Sequence, residues 1–480
     1  MKISFFFAFL FSVCTTSAQQ TTYWQQEVNY TIDVSLNVQN KSLKGFERIE
    51  YINHSPDTLT YIWFHLWPNA YKDKSTAYAK QNGSTYSRKN SGYIDSVLFM
   101  IDHDTLLTEA HPQHIDIVKL LLKQPLLPGK SIRIQTAFFV KIPEYESRLG
   151  YSKKDFYISQ WYPKPAVYDR KGWHPMPYLD RGEFYSEFGS FDVSITVPST
   201  YVVAATGELT TEEELESYKI IGTKNRKKAS VKYKPVFDSS HKTLRFQQNN
   251  IHDFAWFASE DFMIRYSQAL LSDGHTVDIF TFAKTNRSSF WSEANDQIAK
   301  ILFDMKDYVG VYPYSSISAV EGTGNRFSGG MEYPMICLLN VPDEYMLTHE
   351  IVHNWFYGII GTNERDHAWM DEGLTDWFSY IIANRSPVDE NDFNDPVDQP
   401  AELYKTKDAY FFAVYVKAQQ WLRLLRNEMG PENFEAGIKE YYSRWKLRHP
   451  YPEDFQQVME QVSKKKLTSV FSLLKERGKL

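Results

Sequence analysis

The sequence predicts an α+β chain, with a β-rich N-terminal half followed by a mainly helical half that carries a metal site. Three observations predict it. From Tyr30 to about Pro198, short segments such as Tyr30-Thr31-Ile32-Asp33-Val34-Ser35-Leu36 alternate apolar and polar residues, with Asn, Gly, Pro and Ser turns between them. After Asp343 the apolar residues recur at helical spacing instead. Within that helical half lies His349-Glu350-Ile351-Val352-His353, two histidines one helical turn apart with a glutamate between them.

The N-terminus reads Met1-Lys2, an apolar run from Ile3 to Val13, and Thr16-Ser17-Ala18 before Gln19. That order of positive end, short apolar core and small residues predicts a secretory signal peptide over 1–18. Cys14 would tie the chain to a membrane only if lipidated, and Phe11-Ser12-Val13 fits the lipidation pattern poorly. No later run of 18 apolar residues predicts a transmembrane span. Cys337 is the other cysteine, so the mature chain has no internal disulfide. Export without disulfides suits a bacterial envelope, periplasmic or extracellular.

The β pattern continues past Phe191-Asp192-Val193-Ser194-Ile195-Thr196-Val197 to about Phe257, and reads as one antiparallel domain over 19–262. The second domain, 263–480, is expected to begin with a strand at Thr276 to Phe282 and a long amphipathic helix around Arg287 to Tyr308. Strands near Ser315 to Val320 and Met335 to Asn340 follow. Asp343 and Glu344 supply the negative first turn that a helix start favours, and Pro431, Pro450 and Pro452 mark later starts. Lys464 to Lys466 reads as a solvated face.

Two imidazoles at i and i+4 leave one helical face together and reach one ion, with Glu350 beside the open coordination position. A catalytic zinc takes three protein ligands and keeps the fourth place for water. Glu372, in Trp369-Met370-Asp371-Glu372-Gly373, has 18 residues between it and His353, room enough to end one helix, turn and start another running back. The expected set is therefore one Zn2+ on His349, His353 and Glu372, with Glu350 as general base. Asp376, one turn after Glu372, is placed to accept the spare N–H of a zinc histidine; an exposed helix carboxylate is the alternative. A net charge of −6 with interspersed signs offers no broad basic surface and excludes nucleic acid as the main partner. With 42% hydrophobic residues there is ample material for large cores.

In order along the chain, Gly329-Gly330-Met331-Glu332-Tyr333, the H-E-x-x-H run, Glu372 and Tyr415-Val416-Lys417-Ala418 resemble the zinc aminopeptidase family of aminopeptidase N and leukotriene-epoxide hydrolase. The likeness runs from about Tyr30 to the C-terminus and is strongest from Gly329 to Lys417. It implies a β saddle domain ahead of a thermolysin-like, mainly helical peptidase domain that removes N-terminal residues from peptides. By resemblance Glu332 holds the substrate's free α-ammonium, Gly329, Gly330 and Met331 let its backbone approach, and Tyr415 is catalytic. The chain departs from the family's G-x-M-E-N at Tyr333, and from its Y-x-K-G at Ala418. Gln160, in Ser159-Gln160-Trp161-Tyr162, matches a substrate-binding residue of the β domain, while Tyr162 stands where a second acid is common. The family's usual C-terminal helical domain is expected to be missing from these 480 residues, which by resemblance implies a short member with either a more open cleft or cover borrowed from a partner. On residues alone, Tyr415 also falls on an apolar face with Phe411, Val414, Ala418, Leu422 and Leu425, as a core aromatic would. A thermolysin-type endopeptidase would share the ligands without needing Glu332, and a non-catalytic peptide-binding protein would need neither Glu350 nor Tyr415.

Overall fold

The computed structural model describes residues 23–83, 91–226, 230–284, 288–323, 329–340, 343–386 and 394–480, so the segment read as a signal peptide, with Cys14, lies outside the described residues. The larger N-terminal sheet is built on β1 (Glu27–Asn37), β2 (Ser42–Ile52), β3 (Ser131–Lys141), β4 (Gly189–Pro198) and β5 (His241–Ile251), in the spatial order β5-β4-β1-β2-β3. Alternation works as expected. In β4, Phe191, Val193, Ile195 and Val197 are buried while Asp192, Ser194 and Thr196 face outward. The sheet is mixed, however, and not antiparallel throughout: β1 runs parallel to β4, with Tyr30 opposite Phe191 and Val34 opposite Ile195. A period of two says which face a residue takes but not the direction of the neighbouring strand, and β1 and β4 meet through a long crossover.

A second departure is helix α1 (Glu212–Arg226), inside the stretch expected to stay β. Glu212, Glu213 and Glu214 in its first turn and Lys224 and Arg226 in its last complement the helix dipole. Its buried face presses Gly222 onto the strand carrying Tyr266, where a Cβ would come within 2.5 Å of the Tyr266 Cβ. This short, weakly apolar helix lacks the broad stripe that would have shown it in sequence.

The second half opens on a five-stranded sheet of β6 (Phe262–Leu270), β7 (Thr276–Lys284), β8 (Ser316–Glu321), β9 (Gly330–Tyr333) and β10 (Ile336–Leu339), in the order β6-β7-β8-β10-β9. The edge strand β9 runs antiparallel to β10. Helix α2 (Ser288–Tyr308) lies on this sheet: Asn295 donates to the Ile279 carbonyl at 2.9 Å and accepts from Thr281 at 2.9 Å. Beyond it come α3 (Glu344–His353), α4 (Glu372–Ile382), α5 (Ala418–Met429), α6 (Pro431–Trp445) and α7 (Pro452–Ser463). Asp343 caps α3, its carboxylate accepting from the Met346 N–H at 3.1 Å. Pro431 and Pro452 each open a helix, where the missing N–H costs nothing. Lys464, Lys465 and Lys466 are exposed. Among the described residues no helix is long and apolar enough to cross a membrane.

Buried polar groups tie the two halves together. His252 contacts the Tyr357 carbonyl at 2.9 Å, and Glu187 pairs with His449 at 2.8 Å, both fully inside. Beside them, Lys164 and Asp253, each 1% exposed in the side chain, form an ion pair at 2.7 Å that also holds Tyr162 and Gln160. Removing one partner leaves the other charge buried and uncompensated. We therefore expect Lys164→Met to destabilise the fold by about 3–5 kcal/mol, measured by denaturant unfolding.

Candidate metal centre

Helix α3 presents His349, Glu350 and His353 toward the first turn of α4, which brings in Glu372; the four residues are between 1% and 7% exposed. The two Nε2 atoms stand 3.0 Å apart, and Glu372 Oε2 lies 3.4 Å from His349 Nε2 and 3.2 Å from His353 Nε2. Ligands about 2.0–2.2 Å from a tetrahedral ion are separated by roughly 3.3–3.5 Å, so this triangle is the size a divalent cation requires. Glu372 Oε2 is buried with no hydrogen-bond donor of its own, as expected of an oxygen reserved for a metal. The nitrogen and oxygen donors together suit zinc and other borderline divalent ions.

The groups behind the donors hold them in register. His353 Nδ1 faces Asp371 Oδ1 at 2.8 Å, which puts the ring proton on Nδ1 and leaves the Nε2 lone pair for the ion. Thr375 donates to the same Asp371 oxygen at 3.2 Å. His349 Nδ1 has Asp376 Oδ1 at 3.5 Å, a looser contact. Asp376 is buried and receives hydrogen bonds from Tyr345 and Gln419, so it is not the exposed helix carboxylate of the alternative reading. Asp371 was quoted in the sequence motif without a role. Its only signal there was a carboxylate directly before the third ligand.

Tyr415 reaches the site from the far side, its phenol donating to Glu372 Oε1 and its ring stacked on His349 with centroids 5.9 Å apart. It belongs to a π-helical turn, Phe412–Lys417, set between two α-helical segments. That turn rotates the face expected from an unbroken α-helix. Val414, Ala418, Leu422 and Leu425 are core, whereas Phe411 is 47% exposed and stacks on Tyr415. A second π turn, Asn354–Ile359, follows His353 directly. Such turns are rare and gather at functional sites.

Strand β9 passes against Glu350. A Cβ on Gly330 would lie 2.3 Å from the Glu350 carboxyl carbon, so any larger residue there would push the general-base candidate out of its place. Gly329, at φ +143°, precedes it with open space around its Cα. Met331 is buried against β10. Glu332 points to the metal side, with one carboxylate oxygen close enough to His353 and Asp371 for all their donor atoms to lie within 4.8 Å. Glu332 Oε1 and Glu350 Oε2 are both buried without a partner. Burial drives the Glu332 carboxyl well above the usual range, with His353 pulling the other way, and pushes Glu350 up to about 7 against the pull of His349 and His353. Gln160 is placed differently. It takes positive φ, and its amide donates to Asp253 and accepts from Lys164, so its hydrogen bonds lead into the ion pair below the site.

With this geometry in view, residues 343–473 match the model of the peptidase family M1 domain. That match spans a little over a quarter of the chain. Aminopeptidase M1-C of Oryza sativa subsp. japonica is 22% identical over 258 residues, 46% of this chain and 29% of that protein. Glutamyl aminopeptidase of Sus scrofa is 25% identical over 206 residues, 35% of this chain and 22% of that one, so the matches span less than a third of the curated relatives' lengths. Likeness in fold extends over nearly the whole chain. A two-domain M1 zinc metallopeptidase bound to L-arginine superposes with a TM-score of 0.65 at 14% identity, covering 95% of each chain. Legionella pneumophila aminopeptidase A in complex with aspartic acid gives 0.65 at 14%, covering 94% of this chain and 50% of that one. The expected β domain followed by a peptidase domain is the observed fold.

If Asp371 orients His353 as the 2.8 Å contact implies, Asp371→Ala should lower affinity for divalent metal about 10- to 100-fold. Competition with a chromogenic chelator measures this directly.

Proposed function

We propose that the protein is a zinc-dependent aminopeptidase acting on peptides with a free N-terminus. The observation that carries this reading is the unpaired, buried Glu332 carboxylate on the edge strand beside a complete three-donor metal site. A carboxylate is costly to bury without a partner, and a substrate's α-ammonium is the partner that relieves it. Holding that ammonium at a set distance from the metal selects the first peptide bond of the chain. An endopeptidase would have no use for such an anchor.

Zinc held by His349, His353 and Glu372 supplies Lewis acidity toward water and the scissile carbonyl. The chain's own groups do the rest. Glu350, seated against Gly330 with a free oxygen, takes the proton of the attacking water and returns it to the leaving amine. Its upward shift toward neutrality suits a group that must both accept and give up a proton. Tyr415, turning from Glu372 Oε1, donates to the developing oxyanion. Strand β9, last in its sheet among the described residues, offers its outer edge to the substrate backbone, as extended peptides commonly pair with sheet edges. Asp371 and Asp376 hold the two imidazoles. The resemblance also assigns Gln160 to the substrate's first residue, acting from beneath through the segment it fixes. Segment 1–18, read as a signal peptide, supports a periplasmic or extracellular site of action.

Glu350→Gln should retain zinc and lose about 10²–10⁴-fold in turnover of an aminoacyl amide, followed fluorometrically with metal content checked alongside. Near-wild-type turnover would remove Glu350 from this role. Gly330→Ala should leave metal binding intact and cut turnover about 100-fold, because the added methyl displaces the Glu350 carboxyl by roughly an ångström. Acetylating the N-terminus of a test peptide should abolish its cleavage; continued hydrolysis would favour an endopeptidase.

A further inference from the structure

The hairpin that carries Glu332 is clamped at two points by side chains no catalytic step uses. Strands β9 and β10 are joined by Pro334-Met335, with Tyr333 paired to Ile336 across the turn. Met335 sits at φ +65°, a conformation that glycine or asparagine ordinarily supplies at such a turn, so something must hold it. Asn354 does. Its carbonyl accepts from the Met335 N–H at 2.9 Å, while its amide donates to the Ile351 carbonyl at 3.1 Å, joining the turn to the end of the helix that bears both histidines. On the opposite flank, the Tyr333 hydroxyl donates to Ser159 Oγ at 3.0 Å. Tyr333 and Ser159 are each 1% exposed, and the tyrosine ring lies 5.9 Å from that of Phe257. Ser159 in turn is fixed in place. It precedes Gln160, which is locked at positive φ by the buried Lys164–Asp253 pair. Alternation along β9 sends Glu332 and Tyr333 to opposite faces, so the tyrosine grips the β domain while the glutamate faces the metal.

We propose that Tyr333, with Ser159 and Asn354, is a positioning residue that sets the distance between the amine-binding carboxylate of Glu332 and the metal, by fastening the hairpin to the β domain and to the metal-bearing helix at once. The inference rests on the aminopeptidase reading of Glu332. It also accounts for the residue at which the chain departs from G-x-M-E-N: a tyrosine reaches the β domain through 3.0 Å of hydrogen bond where the shorter asparagine side chain would stop well short. A single hydrogen bond lost from this clamp loosens the carboxylate without touching the chemistry, which is a change in KM and not in kcat.

The test is a cycle on the full-length zinc-loaded protein with a fluorogenic aminoacyl amide bearing a free amine. Tyr333→Phe should raise KM about 3- to 10-fold, leave kcat within about twofold, and leave bound zinc unchanged. Ser159→Ala, which removes the other partner, should do the same. In a Glu332→Gln background neither substitution should raise KM further, since the group they position is gone. Tyr333→Phe at wild-type KM, where Glu332→Gln alone raises it, would overturn this inference and leave the aminopeptidase reading standing. So would a Tyr333→Phe penalty carried undiminished into the Glu332→Gln background. A wild-type KM indifferent to Glu332→Gln would overturn the underlying reading of Glu332 and this inference with it.

Discussion

Two imidazole nitrogens and a carboxylate oxygen meet within 3.4 Å of one another in a pocket almost closed to water. A shared divalent cation satisfies all three electron-rich atoms at once, and much of the second half of the chain serves to bring them there and keep them there. Helix α3 is capped at Asp343 and ends at His353; α4 begins on Glu372 itself. Two donors are held from behind by hydrogen bonds, His353 by Asp371 and Glu372 by Tyr415, while Asp376 stands 3.5 Å behind His349. In the dry interior these contacts are worth more than they would be at a surface, and the cost of leaving one unmade is correspondingly larger.

The same low-dielectric setting explains why acids left unpaired around the metal are informative. Glu332 and Glu350 each keep a buried oxygen with nothing bound to it beside the metal donors, whereas the buried Asp253 is paired with Lys164. In the proposed mechanism one oxygen takes a proton and the other an ammonium. The β domain takes part in this economy through Ser159 and Asp253, which stand under the edge strand, so the division of the chain into a sheet half and a peptidase half does not divide the site.

Much of the site was legible in one dimension because its chemistry demands fixed spacings. A turn of helix sets the two histidines, and 18 residues allow the return of Glu372. The order of strands and helices between Thr276 and Asn340 was legible too, as were the cap at Asp343 and the helix starts at Pro431 and Pro452. Three things were not. The parallel pairing of β1 with β4 escapes a pattern that encodes only which face is buried. Helix α1 has too narrow an apolar face to announce itself. The exposure of Phe411 follows from a π turn, and no residue spacing in the run from Phe411 to Leu425 distinguishes that turn from an ordinary α-helix.

By itself, then, the sequence determined which donors could share an ion, because i and i+4 on a helix is a local geometry that needs no other part of the chain. Which groups stand behind those donors was decided only by the tertiary structure. Asp371 rather than a distant residue orients His353, Gly330 makes room for Glu350, and Tyr333 finds Ser159 across 174 positions of chain. Contacts of that kind depend on how two sheets and two helices come to rest against each other, and a linear spacing carries no record of it.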